Sequence, residues 1–305
     1  MGNVSGGILL IDKEEGESSH SVVRRLKSAL KVNKAGHAGT LDPFATGLLV
    51  VLLGQGTKLF PYLTEVDKEY RATLSLGVET DTLDPTGRVV GTGDVPDLDP
   101  EFIQAKAAEL VGEIEQRPPD FSAVRHQGRR AYDLARKGIS FELAKRRVRI
   151  HRLDVVSVDL PEVTLTVECS KGTYVRSLAA ELGRRLGPGA HLSALRRIAS
   201  GPFRVNEAVS GKDCNSLADD LYHRIIPLRK ALPHIQEMEV DEETARKVRK
   251  GLPTAQWGAE VLSRAGDLSE GYAKLVEGSR LLAVVKVRLG PTEGDKRFET
   301  MRVFA

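Results

Sequence analysis

Between Gly36 and Val50 the chain reads Gly-His-Ala-Gly-Thr-Leu-Asp-Pro-Phe-Ala-Thr-Gly-Leu-Leu-Val. Gly36, Gly39 and Gly47 permit backbone angles that other residues resist, and proline steers Asp42 away from the helical region. An apolar run follows at once, from Leu48 to Leu53. The segment therefore reads as a tight loop that places one acid, Asp42, and one histidine, His37, beside hydrophobic wall material. A carboxylate held in that way suits chemistry in a partly dry site. The same string has a second reading, in which Asp42 caps a short helix that starts at Pro43.

Around the loop, strand and helix patterns alternate. Gly7 to Asp12 reads as a buried strand, and Ser18 to Val32 as a helix with Val22, Val23, Leu26, Ala29 and Leu30 on one face, capped by Ser18 or Ser19. Tyr70 to Leu76 and Val163 to Cys169 alternate with period two, as half-buried strands do. Pro100 to Glu115 reads as a second helix. Val175 to Leu186 reads as a third, stopped by Gly187 and Pro188. The strands have polar alternate positions, unlike those of a parallel sheet, which predicts an α+β fold with a mixed, mainly antiparallel sheet flanked by helices. From about Pro233 the character changes. A helix over Val240 to Lys250 and short strands such as Leu281 to Val287 predict a small β-rich module over 233–305, after a larger domain over 1–232.

The 305 residues contain no apolar run of membrane-spanning length, and the N-terminus lacks the pattern of a signal peptide, so a cytoplasmic location is expected. Cys169 and Cys214 are far apart and fit neither a disulfide framework nor a zinc site, and the zinc base-deaminase signature is absent. Gly54-Gln-Gly-Thr-Lys58 lacks phosphate-loop spacing. The net charge is only +3, but Arg117 to Arg152 holds eleven basic residues against three acidic ones, so the rest of the chain is net negative. Such a concentration is either a solvated basic face or the footprint of a polyanion partner.

Four further segments complete a pattern with the loop: Lys68-Glu-Tyr-Arg71, Thr80-Asp-Thr-Leu-Asp-Pro-Thr-Gly87, Ser170-Lys-Gly-Thr-Tyr-Val-Arg-Ser177 and Leu192-Ser-Ala-Leu-Arg-Arg197. With Gly36–Leu49 they resemble, in order and spacing, the motifs of the TruB family of tRNA pseudouridine synthases. Ser122-Ala-Val-Arg-His-Gln-Gly-Arg-Arg-Ala-Tyr132 is similar to the thumb-loop insertion of the bacterial members. The resemblance spans roughly residues 5 to 210. It implies isomerisation of the T-loop uridine at tRNA position 55 by a stand-alone, monomeric enzyme without metal or organic cofactor, and a PUA-type RNA-binding module at the C-terminus.

The resemblance also implies roles. Asp42 is the catalytic carboxylate, Tyr70 lies against the target base as proposed general base, Tyr174 stacks on the flipped uracil, and Arg176 pairs with Asp42. Leu195 lines the apolar wall, Arg196 and Arg197 contact phosphates, and Arg129 and Arg130 sit in the basic thumb. Asp84 either orders the site or is simply a turn residue. His37 fills the space left by the flipped base, or is an ordinary core histidine. An arginine in a first helical turn is slightly wrong for the helix dipole, which favours a functional reading of Arg176. A phenol titrates near 10, so Tyr70 as a base needs a nearby cation or concerted transfer. Two alternatives are a non-catalytic tRNA-binding module, which has no use for Asp42, Tyr70 and Arg176 together, and a guide-RNA-dependent synthase, which has no use for the thumb.

Overall fold

The computed structural model describes residues 6–122, 124–212, 218–264, 270–289 and 296–304; Cys214, and Ala123 of the thumb segment, lie outside them. The Gly6–Lys13 strand pairs antiparallel with Thr46–Gly54 along its whole length. Both strands are covered on both faces. Leu9, Ile11, Leu49, Val51 and Leu53 pack with Val22, Val23 and Leu26 of the Ser19–Ala29 helix, while Ile8, Leu10, Leu48, Val50 and Leu52 pack with Leu59, Tyr62 and Leu63. Double burial explains why these two strands read as unbroken apolar runs.

They belong to an eleven-stranded sheet. Its main path runs Val209–Ser210, Gly6–Lys13, Thr46–Gly54, Ala190–Ser200, Lys68–Leu76, Glu162–Cys169, Arg146–Asp159, Gly112–Gln116. Val209–Ser210 and Ala190–Ser200 each run parallel to one neighbour; the other pairings on the path are antiparallel, as the alternation implies. Beyond Ala190–Ser200 the sheet buries one face only. Glu162–Cys169 alternates buried and half-buried positions, and its buried face meets Ile103 and Ala107 of one helix and Leu178, Leu182 and Leu186 of another. Cys169 is part of that core.

The helices begin and end where the sequence supplies caps. Ser18 accepts from the Ser21 amide, Asp99 from Phe102 and Asp241 from Thr244, and Gly187 ends Val175–Leu186 with φ 111°. One expected element is divided. The helix read over Pro100 to Glu115 covers Pro100–Ala108, and Gly112–Gln116 is instead the edge strand of the sheet. Gly112 takes φ +109°, which stops helical propagation, and Glu113, Ile114 and Glu115 then pair with Arg149, Val148 and Arg147.

The C-terminal part forms its own four-stranded sheet of Gln236–Glu239, Gly271–Glu277, Arg280–Leu289 and Lys296–Val303, with Trp257 in its core. The helix expected at Val240 to Lys250 is Glu242–Arg249. Val276, Leu281, Val284 and Phe304 pack into the cluster containing Ile8, Leu10 and Leu48, so the β-rich module rests on the strand that follows the glycine loop. No helix among the described residues is long and apolar enough to cross a membrane.

Candidate active site

Asp42 sits in a turn, not at the start of a helix, with the Ala45 amide donating to its carbonyl at 3.1 Å. Its neighbours are fixed from both sides. Buried Ser19 exchanges two hydrogen bonds with the Leu41 backbone, at 2.9 and 3.0 Å. The Lys13 ammonium and the Gly16 amide both donate to the Pro43 carbonyl, at 3.2 and 2.8 Å. Gly39 and Gly47 have φ of +101° and +97°, and a Cβ on Gly47 would come within 2.4 Å of the Arg197 carbonyl. Gly36 needs no such freedom; it lies in the short Ala35–His37 strand.

Arg176 organises the centre. It is 4% exposed, and its guanidinium reaches both candidate acids. Nε lies 3.0 Å from Asp42 Oδ2 as an ion pair, and Nη2 donates to Asp42 Oδ1 at 3.3 Å. Nη1 donates to Asp84 Oδ2 at 3.1 Å and to the Thr82 carbonyl at 2.9 Å, and Nη2 also donates to the Phe121 carbonyl at 3.0 Å. The other oxygen of Asp84 accepts from Thr82 Oγ1, Thr86 N and Thr86 Oγ1 at 2.7, 3.0 and 2.6 Å. The Asp42 side chain remains 35% exposed, against 6% for Asp84. Burial raises the Asp42 carboxyl above its ordinary value despite Arg176 and Lys13, and the charge of Asp84 adds to the rise.

Tyr70 lies on the neighbouring strand, directly opposite Arg197 in the ladder. Burial pushes its phenol up, Arg197 opposes that push by charge and hydrogen bonding, and Cys169 and Asp42 reinforce it; the net direction is up. The resting side chain is therefore a neutral phenol with a guanidinium beside it. Tyr70, Leu195, Leu41 and Phe44 share one apolar cluster. Tyr174 precedes the Val175–Leu186 helix, its amide and carbonyl both held by the side chain of Gln116. His37 is half-buried beside the loop, and burial, Arg197 and His20 all lower its imidazole.

One expectation needs correction. Arg197 does not face phosphate: it is 1% exposed, and donates from Nε to the Leu48 carbonyl at 2.7 Å and from Nη2 to the Gly39 carbonyl at 3.1 Å. It braces both ends of the loop from inside. Arg196 points the other way, is partly exposed, and makes a two-pronged pair with Asp12 at 2.9 and 2.6 Å. Arg129 and Arg130 are exposed on a hairpin with Arg125 and His126, turned by Gln127 and Gly128. Ser19, Lys13, Thr82, Thr86 and Gln116 escaped the sequence reading. Of these, Ser19 carried a signal that pointed to a helix cap, and Thr82 and Thr86 stood inside the Thr80–Gly87 motif without a role of their own.

Residues 27–175 match the model of the TruB family pseudouridylate synthase N-terminal domain, and residues 176–233 that of the tRNA pseudouridylate synthase B C-terminal domain. The chain is 42% identical over 301 residues to tRNA pseudouridine synthase B of Geobacter sulfurreducens, covering 98% of this chain and 99% of that one. It is 46% identical over 258 residues to that of Syntrophobacter fumaroxidans, covering 83% and 84%. Among solved structures, a Cbf5-Nop10-Gar1 complex matches with a TM-score of 0.75 at 26% identity, over 99% of this chain and 85% of that one. An H/ACA RNP bound to a substrate RNA containing 2'-deoxyuridine shares the fold, with a TM-score of 0.68 at 23% identity over 100% and 92%. With motifs, fold and near full-length identity in agreement, the chain belongs to the TruB family of pseudouridylate synthases.

Proposed function

We propose that this protein isomerises the T-loop uridine at tRNA position 55 to pseudouridine, with Asp42 as the reacting carboxylate. The observation that carries the reading is the unequal use of two acids on one guanidinium. Asp84 is saturated with donors, whereas Asp42 keeps lone pairs free on its exposed side.

The reaction breaks the N1–C1′ bond, turns the uracil and rejoins it through C5. Cleavage develops positive charge at C1′, which a carboxylate stabilises or captures. Whether Asp42 meets C1′ or removes the 2′ proton, it must be ionised, and Arg176 supports that form while burial opposes it. A second carboxylate is unnecessary because no water attacks. Water must in fact be kept from the detached base, and Tyr70, Leu195, Leu41 and Phe44 supply an apolar wall for that purpose. Over the whole reaction one proton leaves C5 and one arrives at N1. Tyr70 can balance both transfers: its phenol gives its proton to N1 of the turned uracil and takes the C5 proton, ending neutral as it began, and the guanidinium of Arg197 stabilises the phenolate oxygen between the two transfers. Tyr174 offers a ring for stacking. The uridine has to leave the loop stack to reach this site, and His37 is placed to occupy its room.

The exposed Arg125, Arg129 and Arg130 hairpin supplies phosphate contacts. It supports action as a monomer without a protein partner. Residues 1–232 would form the catalytic domain and 233–305 a PUA-type module that extends the RNA-binding surface. The test is tritium release from tRNA transcript labelled at uridine C5, with the product mapped at single-nucleotide resolution. Release with one modified uridine in the T loop supports both reaction and site. No release from bound tRNA would move the protein to the non-catalytic binder.

A further inference from the structure

Gln116 ends the edge strand immediately before the basic thumb, and its side chain is buried. Its hydrogen bonds go to backbone. Its amide donates to the Tyr174 carbonyl at 3.0 Å, and the Tyr174 amide donates back to its Oε1 at 2.7 Å. One side chain thus replaces a rung of ladder for the backbone of Tyr174, at an extended helix N-cap with no side-chain cap of its own. Two more bonds follow along the stem. Ser177 Oγ donates to the Arg117 carbonyl at 3.0 Å, and Arg176 Nη2 donates to the Phe121 carbonyl at 3.0 Å. That same Nη2 reaches Asp42 Oδ1. Residues 116–121 therefore hold Tyr174, Arg176 and Ser177 as one unit. Pro118 and Pro119 within the stem are buried and fixed in φ, so the stem moves as a stiff strap rather than a slack loop.

We propose that Gln116 is a positioning residue that ties the thumb to the catalytic centre, so that RNA seated on the thumb is registered in the chemical step and not only in affinity. The proposal rests on the reading of Asp42, Tyr174 and Arg176 given above. A tRNA that engages Arg125, Arg129 and Arg130 sets the stem, the stem sets the backbone of Tyr174 and one acceptor of Arg176, and Arg176 sets Asp42. An RNA that reaches the pocket without engaging the thumb leaves that chain of contacts unset, and turns over slowly even when bound.

The test compares single-turnover rates at saturating tRNA with tRNA dissociation constants for Gln116→Met, Gln116→Glu and Ser177→Ala. Displacements of about an ångström at a reacting centre cost on the order of 100-fold, so Gln116→Met is expected to slow the saturated rate roughly 30-fold while the dissociation constant stays within about threefold. Gln116→Glu keeps the acceptor for the Tyr174 amide and loses the donor, so its rate should fall between the two. Ser177→Ala, on the more exposed link, should show a smaller loss of the same kind. A wild-type saturated rate in Gln116→Met, or a loss confined to affinity, overturns the proposal. Should Gln116→Met not fold, unchanged saturated rates in both other variants overturn it. Asp42→Asn in the same assay separates the two levels. If it is active, the underlying reading fails; if it is inert while Gln116→Met is unimpaired, only the link through Gln116 fails.

Discussion

Two acids share the guanidinium of Arg176, and their surroundings could hardly differ more. Asp84 closes the Thr80–Gly87 turn, is 4% exposed, and accepts from two threonine hydroxyls, an amide and the arginine. Asp42 rides a glycine-framed loop, is open on one side, and accepts from the guanidinium of Arg176. A carboxylate whose lone pairs are all engaged is an anchor; one with lone pairs to spare beside a partly dry wall is a reagent. The loop under Asp42 is nevertheless no looser than the turn. Ser19, Lys13 and Arg197 fix its backbone and leave the carboxylate partly open. Rigidity here is supplied to the peptide groups, and the carboxylate keeps an open side, as the proposed role requires.

This contrast can be broken at several places. Apart from loss of Asp42 itself, the largest effect is expected from Arg176→Lys. A single ammonium cannot span Asp42, Asp84 and two carbonyls, and the saturated rate should fall on the order of 100-fold, read by single turnover. Asp84→Asn should act first on stability. Removing one partner of a nearly fully buried pair costs about 3 kcal/mol, measured by urea unfolding, with a rate loss of roughly tenfold. Thr86→Val deletes one donor to Asp84 and should cost about 1 kcal/mol by the same measurement, with little change in rate. Were Asp84→Asn to be stable but inert, the division into anchor and reagent would be wrong. Arg129→Gln and Arg130→Gln should each lower the slope of tRNA affinity against salt by about one, and slow the saturated rate less than Gln116→Met does, because each removes only part of the thumb engagement that sets the stem.

The raised Asp42 carboxyl gives activity and stability opposite pH slopes. The role proposed for Asp42 needs the ionised form, so the rate should begin to fall, as pH drops, above the range of an ordinary aspartate. The folded-state value lies above the unfolded one, so the folded state binds the proton first. Through that window the contribution of Asp42 to stability grows as pH falls. A pH–rate profile set beside urea unfolding at each pH, with Asp42→Asn as reference, checks both signs.

Much of this was legible in the sequence because it rests on period and turn chemistry. Alternation gave the Tyr70 and Val163 strands, and the density of the Gly36–Leu49 motif pointed to Asp42 and its family. Side-chain clamps on backbone left no such trace. Gln116 has no period, and the backbone it holds lies 58 residues away. Arg197 was misread although a simple rule applies. Adjacent residues on a strand point to opposite faces, so Arg196 and Arg197 could not both meet solvent from a central strand. The helix drawn through Glu115 failed because Ile114 fits a period of two as well as a period of 3.6, and Gly112 decides between them.

The central claim is that Asp42 reacts and Asp84 anchors. Its most direct test is single-turnover tritium release by Asp42→Asn, with tRNA affinity measured in parallel. The expected result is no turnover with affinity within about tenfold of wild type, since phosphate contacts dominate binding. Release by Asp42→Asn at a rate near that of the unaltered protein would contradict the account.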